Sequence, residues 1–223
     1  MRSAVSIETP PSTDFDPGVV AVVLFDGAGQ AVQVATDGSN TQTSGEPDSS
    51  EPAAEVAPGG LTCGYVPDPK ITAQTDYVLA HWSDDTSATY GSIADNDCVN
   101  FTSQSLEARG WTMDADWSFN PATREYSPAW ASSTALSAYL AGHPERATAL
   151  SDTQRDLVKV GDIVQFDWDA SGDKDHTGIV TRVERTDAGI RLFYAGHTTN
   201  TNYKSVDESL ADAGGDVSFW SVA

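Results

Sequence analysis

Residues 95–106 read DNDCVNFTSQSL, a polar loop that passes directly into an amphipathic segment. Apolar and small residues recur in it at three- and four-residue spacings, the period of a helix with one buried face. Asp95 or Asp97 can cap the start of this helix, and Gly110 is a typical residue just beyond a helix end. The pattern predicts a helix that carries Cys98 in its first turn.

The position of Cys98 has two interpretations from the helix alone. Unpaired N–H groups and the helix dipole favour a thiolate at a helix start, as a nucleophilic cysteine requires. Free cysteine is also among the most buried residue types, so Cys98 could be a small core residue. A third possibility is a disulfide with Cys63, the second of the two cysteines in the chain. The spacing of the two matches no zinc-binding pattern.

The composition limits the partners of the protein. A chain of 223 residues can form one domain with a sizeable core plus extensions. Its 12 basic and 33 acidic residues give a net charge of -21, which repels nucleic acids and anionic membrane surfaces. Residues 19–25 form the best apolar run, which is too short for a membrane span and follows acidic residues, unlike a secretion signal. We expect no nucleic-acid partner, no membrane insertion and an export signal that is not visible in this chain.

Three regions follow from the distribution of apolar residues. Residues 1–35 contain two β-rich runs around a Gly-containing turn and predict an N-terminal β-hairpin extension. Residues 36–60 are rich in Ser, Thr, Pro, Gly and acids, and predict a disordered acidic linker. Residues 61–223 contain the apolar periodicity of a folded domain. An isolated hairpin is marginally stable, so residues 1–60 could attach the domain to a larger parent protein or assembly.

The folded region changes its period near residue 160. Helical spacing extends over residues 71–82, 98–109 and 132–140, whereas alternation typical of strands covers residues 160–168, 176–184, 190–197 and 219–222. Helices in the first half and strands in the second predict an α+β fold with an antiparallel sheet. The aromatic-rich segment 111–130 has no clean period and predicts an irregular cover over the core.

The strand pair that includes residues 176–184 fixes where two histidines lie. A turn at Asp187 places Gly178 opposite His197, so that His176 and His197 are diagonal neighbours on one face, about 7 Å apart. A slip of one residue, or a bulge at Gly189, would place them on opposite faces. Each histidine by itself could equally be a structural residue of the sheet.

The chain order of these residues is that of a cysteine hydrolase. A thiol at a helix start, a histidine at the start of a strand and a polar residue on the next strand can serve as nucleophile, base and orienter of the base. Cys98, His176 and His197 are these candidates. Asn200 is an alternative orienter.

Several separated motifs give the chain a family resemblance. They occur in family order and are DCVNFTSQ at 97–104, GWTM at 110–113, WASS at 130–133, GDIVQFDW at 161–168, DHTGIV at 175–180 and YAGHT at 194–198. From residue 71 to the C-terminus, the chain resembles the putative amidase family of bacterial cysteine hydrolases, related to the NlpC/P60 and CHAP groups of papain-like peptidoglycan hydrolases. Val99 and Thr102 depart from the family pattern, which has Thr and a bulkier apolar residue there. Residues 1–60 lie outside the resemblance.

The resemblance implies a papain-like, NlpC/P60-type α+β fold, in which N-terminal helices carry the nucleophile and pack on an antiparallel sheet. It implies that Cys98 is the nucleophile, His176 the general base and acid, and His197 or a neighbour the orienter. The implied reaction cleaves an amide of peptidoglycan peptide stems through a thioester, in the cell envelope or outside the cell. No cofactor is implied. The partner is then peptidoglycan or another peptide amide.

The oxyanion and cleft residues can also be nominated. The backbone N–H of Cys98 at a helix start is the best oxyanion donor, and Asn96 and Asn100 are further candidates. Asn100 can instead face away and hydrogen-bond the local backbone. Cleft-wall candidates from the aromatic segment are Trp111, Trp117 and Trp130, which could equally pack in the core.

Residues 167–178 match the first half of a calcium-binding loop. Oxygen-bearing residues alternate there and a glycine stands sixth, but Gly178 occupies the twelfth position, where the bidentate glutamate is required. We therefore expect a solvated acidic turn and no metal site.

Two other functions remain compatible with the sequence. A non-catalytic cell-wall-binding or interaction module would keep the fold, with Cys98 bonded to Cys63. A secreted toxin-like hydrolase would keep the chemistry and act on another amide substrate.

Overall fold

The computed structural model describes residues 68–83, 89–94 and 96–223 fully, and the backbone of four strands between residues 19 and 67. The chain divides into two compact units. One is Gly18–Pro69 and the other includes Lys70–Ala223. Among the residues described, no helix has the length and apolar character needed to cross a bilayer.

The first unit contains a four-stranded sheet in the order β3-β2-β1-β4. Its strands are β1 (Val19–Phe25), β2 (Ala31–Thr36), β3 (Ser39–Asn40) and β4 (Thr62–Pro67). Strands β1 and β2 are antiparallel neighbours, at the two β-rich runs of the predicted hairpin. Strand β4 pairs with the other edge of β1, so these residues belong to the first unit, although we expected them in the amidase domain. The predicted disorder of the rest of the linker concerns residues outside those described.

The helices of the second unit lie largely where apolar periodicity places them. They are α1 (Pro69–His81), α2 (Cys98–Ala108), α3 (Pro128–Ala131), α4 (Ser133–Ala141) and α5 (Val206–Ala213). Cys98 is the first residue of α2 and Asp97 is its N-cap residue, although the Asp97 carboxylate makes no capping hydrogen bond to the helix. The short helices α3 and α5 are additional to the sequence prediction. A six-residue 3-10 helix, Asp152–Leu157, is also additional.

Helix α2 differs from an amphipathic surface helix. Every residue from Cys98 to Leu106 is buried, so the polar residues among them need partners inside the protein. Ser103 Oγ donates to the Trp130 carbonyl, and Ser105 Oγ donates to the Thr102 carbonyl within the helix. The expectation of one exposed face was wrong, because the surrounding elements enclose the helix on all sides.

The second half of the chain forms a six-stranded antiparallel sheet, which confirms the predicted α+β class. Its order is β5-β10-β6-β7-β8-β9. The strands are β5 (Ala147–Ser151), β6 (Ile163–Asp167), β7 (His176–Thr186), β8 (Gly189–Gly196), β9 (Thr201–Ser205) and β10 (Asp216–Val222). Strands β5 and β9 were not predicted. They lie at the two edges of the sheet, where side chains are exposed on more sides and alternation is weaker.

The two faces of this sheet belong to different apolar clusters. On one face, Ile163, Ile179 and Ala195 pack with Cys98 and the other buried residues of the helices. On the opposite face, a second cluster includes Val164, Phe166, Val180, Tyr194 and Phe219. Because consecutive strand residues point to opposite faces, the parity of each residue on β6, β7 and β8 decides which cluster it joins. The face to which each strand residue points therefore determines which side chains form the candidate site.

Candidate active site

Cys98 is a free thiol buried where α2 begins, with 2% of its surface exposed. Its sulfur lies 3.6 Å from Ser133 Oγ, and the thiol can donate to Asn96 Oδ1 at 4.0 Å. The backbone N–H of Thr177 and the hydroxyl of Thr198 also hydrogen-bond it. Polar groups therefore surround one side of the sulfur, and the apolar cluster that contains the buried residues of the helices packs against the other side.

Burial raises the pKa of the Cys98 thiol above its ordinary value of 9.0. Hydrogen bonds from the Ser133 hydroxyl, from the backbone of Thr177 and Val99, and from the Thr198 hydroxyl act in the opposite direction, because they stabilise the charged form. Desolvation outweighs them. The helix start alone suggested a thiolate, and that expectation omitted the cost of burying the charge.

His197 lies on the helix side of the sheet, beside the residue that precedes Cys98. Its Nδ1 is 2.7 Å from Asp97 Oδ2 and its Nε2 is 2.9 Å from the His81 carbonyl oxygen. The ring stacks on Phe101 with centroids 3.9 Å apart. His197 and Asp97 are both buried, so this pair is held in a low-dielectric environment.

His176 lies on the opposite face of the sheet from Cys98. Its ring is close to those of Phe166, Trp168 and Tyr194, which belong to or pack against the second cluster. Burial and, to a smaller extent, the positive charge of Lys204 lower its pKa from 6.5 to about 4. The ring is therefore neutral at pH 7.

The two histidines are separated by a bulge in β7. Strand pairing follows the predicted register from Thr186 and Gly189 back to Arg182, and then shifts by one residue between Val180 and Arg182. The shift leaves Thr181 as the extra residue of the strand. The prediction of diagonal histidine neighbours was wrong, because the bulge exchanges the faces of every residue that precedes it in β7.

The same shift brings Thr177 to the face where His176 was expected. Thr177 Oγ1 donates to Ser133 Oγ at 2.9 Å, next to Cys98. Among the hydrogen-bond partners of Cys98 Sγ in residues 96–223, neither His176 nor His197 is found. The structure therefore brings Cys98, Asp97 and His197 into one region and leaves His176 outside it.

The three oxyanion-hole candidates differ in how many of their hydrogen-bonding groups already have a partner. The Asn100 amide is buried, donates to Asp97 Oδ1 and the Gly91 carbonyl, and accepts from Trp130 Nε1. It is a structural group, as the alternative interpretation proposed. Asn96 is exposed, with its amide near the sulfur, and its Nδ2 donates to a backbone carbonyl at 3.2 Å. The backbone N–H of Cys98 stands at the start of α2, where it was expected.

The aromatic cleft candidates separate into core and surface residues. Trp117 and Trp130 are both fully buried, so the interpretation of them as cleft walls was wrong. Trp111 lines a pocket of about 330 Å³ with Arg109 and Arg146. This pocket lies at the C-terminal end of α2, about 16 Å along the helix from Cys98. Asn200, the alternative orienter, is exposed in the turn after β8.

Besides Thr177, two residues of the site were not predicted, Ser133 and Thr198. Ser133 begins α4 and supplies a hydroxyl 3.6 Å from the sulfur. Thr198 has φ of 76°, a conformation that a β-branched residue rarely adopts, and its Oγ1 accepts from the Asp97 N–H at 2.9 Å. Strain of this kind is common at functional sites. The WASS and YAGHT motifs contain these residues, which was the available signal.

The acidic turn after β6 brings three carboxylates together. Oxygens of Asp167, Asp169 and Asp173 lie within 4.8 Å of one another. Both oxygens of Asp167 accept from backbone N–H groups, at Ser171 and Gly172, so this buried carboxylate organises the turn. Hydrogen bonding within this mostly exposed turn therefore explains why the three acidic residues lie close together.

Comparison with known proteins gives one match. A family model described as a putative amidase domain matches residues 69–221. No curated protein and no solved structure matches the chain. The matched range covers the second unit almost completely and includes Cys98, Ser133, His176 and His197.

Proposed function

The chain belongs to the putative amidase domain family, and on that premise we propose that it hydrolyses amide bonds with Cys98 as the nucleophile. The observation that carries this proposal is the set of hydrogen-bond donors directed at Cys98 Sγ. Hydroxyls of Ser133 and Thr198 and the backbone N–H groups of Thr177 and Val99 all contact one sulfur. A core cysteine needs no such partners, whereas a thiolate intermediate does.

The proposed reaction is thiol acyl transfer. Cys98 Sγ attacks the amide carbonyl, the amine leaves after it is protonated, and water then hydrolyses the thioester. The backbone N–H of Cys98, at the start of α2, is the proposed donor to the developing oxyanion, because the helix dipole favours negative charge there. Asn96 and Thr198 are exposed beside the buried sulfur, so the substrate would approach from their side.

The proton donor in this proposal is His197 together with Asp97. Both ring nitrogens of His197 face oxygen acceptors, the Asp97 carboxylate and a backbone carbonyl, so the arrangement suits a ring that carries two protons. The positive charge of such a ring, beside the residue that precedes Cys98, can stabilise a thiolate. To protonate the departing amine, the ring must release the hydrogen bond from Nε2 to the His81 carbonyl and offer that N–H to the substrate. His176 was the base implied by the family resemblance. It is less suitable, since it lies on the other face of the sheet.

The substrate class rests on the resemblance alone. A papain-like, NlpC/P60-type hydrolase outside the cytoplasm would cut an amide of peptidoglycan peptide stems, and we propose this as the finer function. A charge of -21 suits a soluble enzyme, but gives no information on which amide is cut. A toxin-like hydrolase with another amide substrate would share the same Cys98 chemistry.

A non-catalytic module is the second candidate, and one observation favours it. Cys98 is 2% exposed and its pKa is raised, as expected of a structural thiol. In this candidate the fold would bind cell wall without cutting it. A version of this candidate with a disulfide between Cys98 and Cys63 needs a test of its own. In the structure, Cys98 is a free thiol.

The test compares Cys98→Ala with Cys63→Ala on purified peptidoglycan and on small peptide amides. We expect Cys98→Ala to lower amide hydrolysis by roughly 10⁴-fold or more, as for other nucleophile deletions, and Cys63→Ala to leave it unchanged. Released amines and peptides are measured by mass spectrometry. Full activity of Cys98→Ala would exclude the nucleophile assignment. Activity on peptide amides but not on peptidoglycan would reject the substrate class alone.

Thiol counting on the denatured, non-reduced protein completes the test. Two free thiols are expected for the hydrolase. A protein with no free thiols would favour the disulfide-bonded module.

A further inference from the structure

A line of buried polar side chains leads from β10 to the sulfur of Cys98. It begins at Trp220, whose indole Nε1 donates to Gln165 Oε1 at 2.8 Å. The indole N–H is a donor only, so the oxygen of the Gln165 amide must point toward Trp220. This contact fixes the orientation of the amide, and with it the direction of every hydrogen bond that follows.

The NH₂ group of Gln165 therefore points away from Trp220, toward Ser133 and Thr177. Its Nε2 donates to the Ser133 carbonyl at 2.8 Å and to Thr177 Oγ1 at 3.2 Å, which uses both amide hydrogens. Thr177 Oγ1 is thus an acceptor from Gln165. The hydroxyl hydrogen of Thr177 is not used in that contact, and Thr177 Oγ1 donates it to Ser133 Oγ at 2.9 Å.

Ser133 is the last member of the line. Because its Oγ accepts from Thr177, its own hydrogen can point to Cys98 Sγ, 3.6 Å away. The side chains of Gln165 and Thr177 are fully buried, and Ser133 is 4% exposed. Bulk water therefore cannot replace a missing member. An interrupted line would leave Ser133 without a fixed direction.

We propose that Ser133, Thr177 and Gln165 are positioning residues that hold a hydroxyl hydrogen on the sulfur of Cys98, with Trp220 setting the direction of the line. This role rests on the proposed function, in which Cys98 must become a thiolate. It needs no contact between these residues and the substrate. Of the four side chains, only that of Ser133 contacts the reacting sulfur, whereas Thr177 also contacts it through its backbone N–H.

The expected consequence is a shift in how readily Cys98 ionises. A hydrogen bond to a charged group is stronger than one to a neutral group, so the Ser133 hydroxyl stabilises the thiolate more than the thiol. Loss of this donor should raise the Cys98 pKa further, by about one unit, which is a tenfold fall in the thiolate fraction.

The test measures thiolate ultraviolet absorbance against pH in the full chain. Each variant is compared with the same variant carrying Cys98→Ala, so that tyrosines and Cys63 cancel. Ser133→Ala and Thr177→Val should each raise the Cys98 pKa by about one unit, because both remove the directed donor. Thr177→Ser keeps the hydroxyl and should titrate like the original protein. Thr134→Ala, at the exposed neighbour of Ser133, is the matched surface control.

Equal titration of Thr177→Val and Thr177→Ser would overturn the proposal. This pair remains informative if Ser133→Ala fails to fold, because both variants keep Ser133. The titration does not require catalysis. If Cys98→Ala abolishes hydrolysis but the titration curves of the Thr177 variants do not differ, only the positioning role is rejected. If the titration curves differ but Cys98→Ala keeps full activity, only the assignment of Cys98 as nucleophile is rejected.

Discussion

His197 occupies a position that only the folded chain explains. Its two ring nitrogens contact the Asp97 carboxylate and the His81 carbonyl, and its face covers Phe101. The sequence proposed this residue as an orienter for His176. In the structure it is instead hydrogen-bonded to Asp97, the residue next to Cys98, and it lies on the same side of the sheet as the sulfur, whereas His176 does not.

Substitution of the two histidines separates these roles. We expect His197→Gln to reduce kcat for amide hydrolysis by about 10²- to 10⁴-fold, the usual contribution of a general acid or base. His176→Gln should reduce it much less, because its ring faces the opposite cluster. Steady-state kinetics with a peptide amide measures both. A larger loss in His176→Gln than in His197→Gln would contradict the assignment.

Trp130 tests whether the aromatic segment is core or cleft. Its side chain is fully buried and its Nε1 donates to Asn100 Oδ1 at 2.8 Å. Trp130→Phe should lower the free energy of unfolding by about 2–4 kcal/mol, since it leaves a cavity and an unpaired amide oxygen. Trp111→Phe, in the partly exposed pocket wall, should cost less than half as much. Urea denaturation gives both values, and equal losses would reject the distinction.

At the level of elements, α4 matters because it presents Ser133 to Cys98. Ser132 caps this helix, and its Oγ accepts from the Ala135 N–H at 3.3 Å. Ser132→Ala should destabilise the protein by about 1 kcal/mol, whereas Ser132→Asn should cost little because asparagine is an equally good cap. Thermal unfolding measures both variants. The idea fails if the alanine and asparagine variants unfold at the same temperature.

The strands show how far sequence alone could predict this fold. Alternation located β7 and β8, and the turn at Asp187 gave the right pairing as far as Arg182. The bulge at Thr181 was not visible, because a single extra residue changes neither the composition nor the local alternation enough to be detected. One unpaired residue therefore decided whether Thr177 or His176 faces the helices.

The site was predictable to a similar extent. Cys98 and its helix follow from local signals, namely periodicity, a capping residue and a terminal glycine. Ser133 and Thr198 come from distant parts of the chain, and neither has a residue type that attracts attention by itself. Their roles depend on packing between α2, α4 and β8, which local spacing does not encode.

For the molecule as a whole, stability reflects two opposed responses to acid. The net charge of -21 implies self-repulsion that weakens as carboxylates gain protons. His176 responds in the other direction. Its pKa is about 4 in the folded protein and 6.5 ordinarily, because burial and the Lys204 charge disfavour the imidazolium.

The sign of the His176 contribution follows from proton binding. Between pH 6.5 and 4 the unfolded chain binds a proton at this residue and the folded protein does not, so stability falls as pH falls through this window. The loss should reach about 3 kcal/mol by pH 4. His176→Phe keeps an aromatic ring among Phe166 and Trp168 and removes the titration. His143→Gln serves as the control histidine.

Urea unfolding of these proteins at several pH values tests the effect, with the slope against pH as the readout. The original protein and the control should lose stability toward pH 4 more steeply than His176→Phe, by the same 3 kcal/mol or so. The difference between proteins cancels the general charge response, which all three share. Parallel curves would show that His176 is accessible to protons in the folded state. The aromatic cluster would then not bury it, and the face assigned to β7 before the bulge would be wrong.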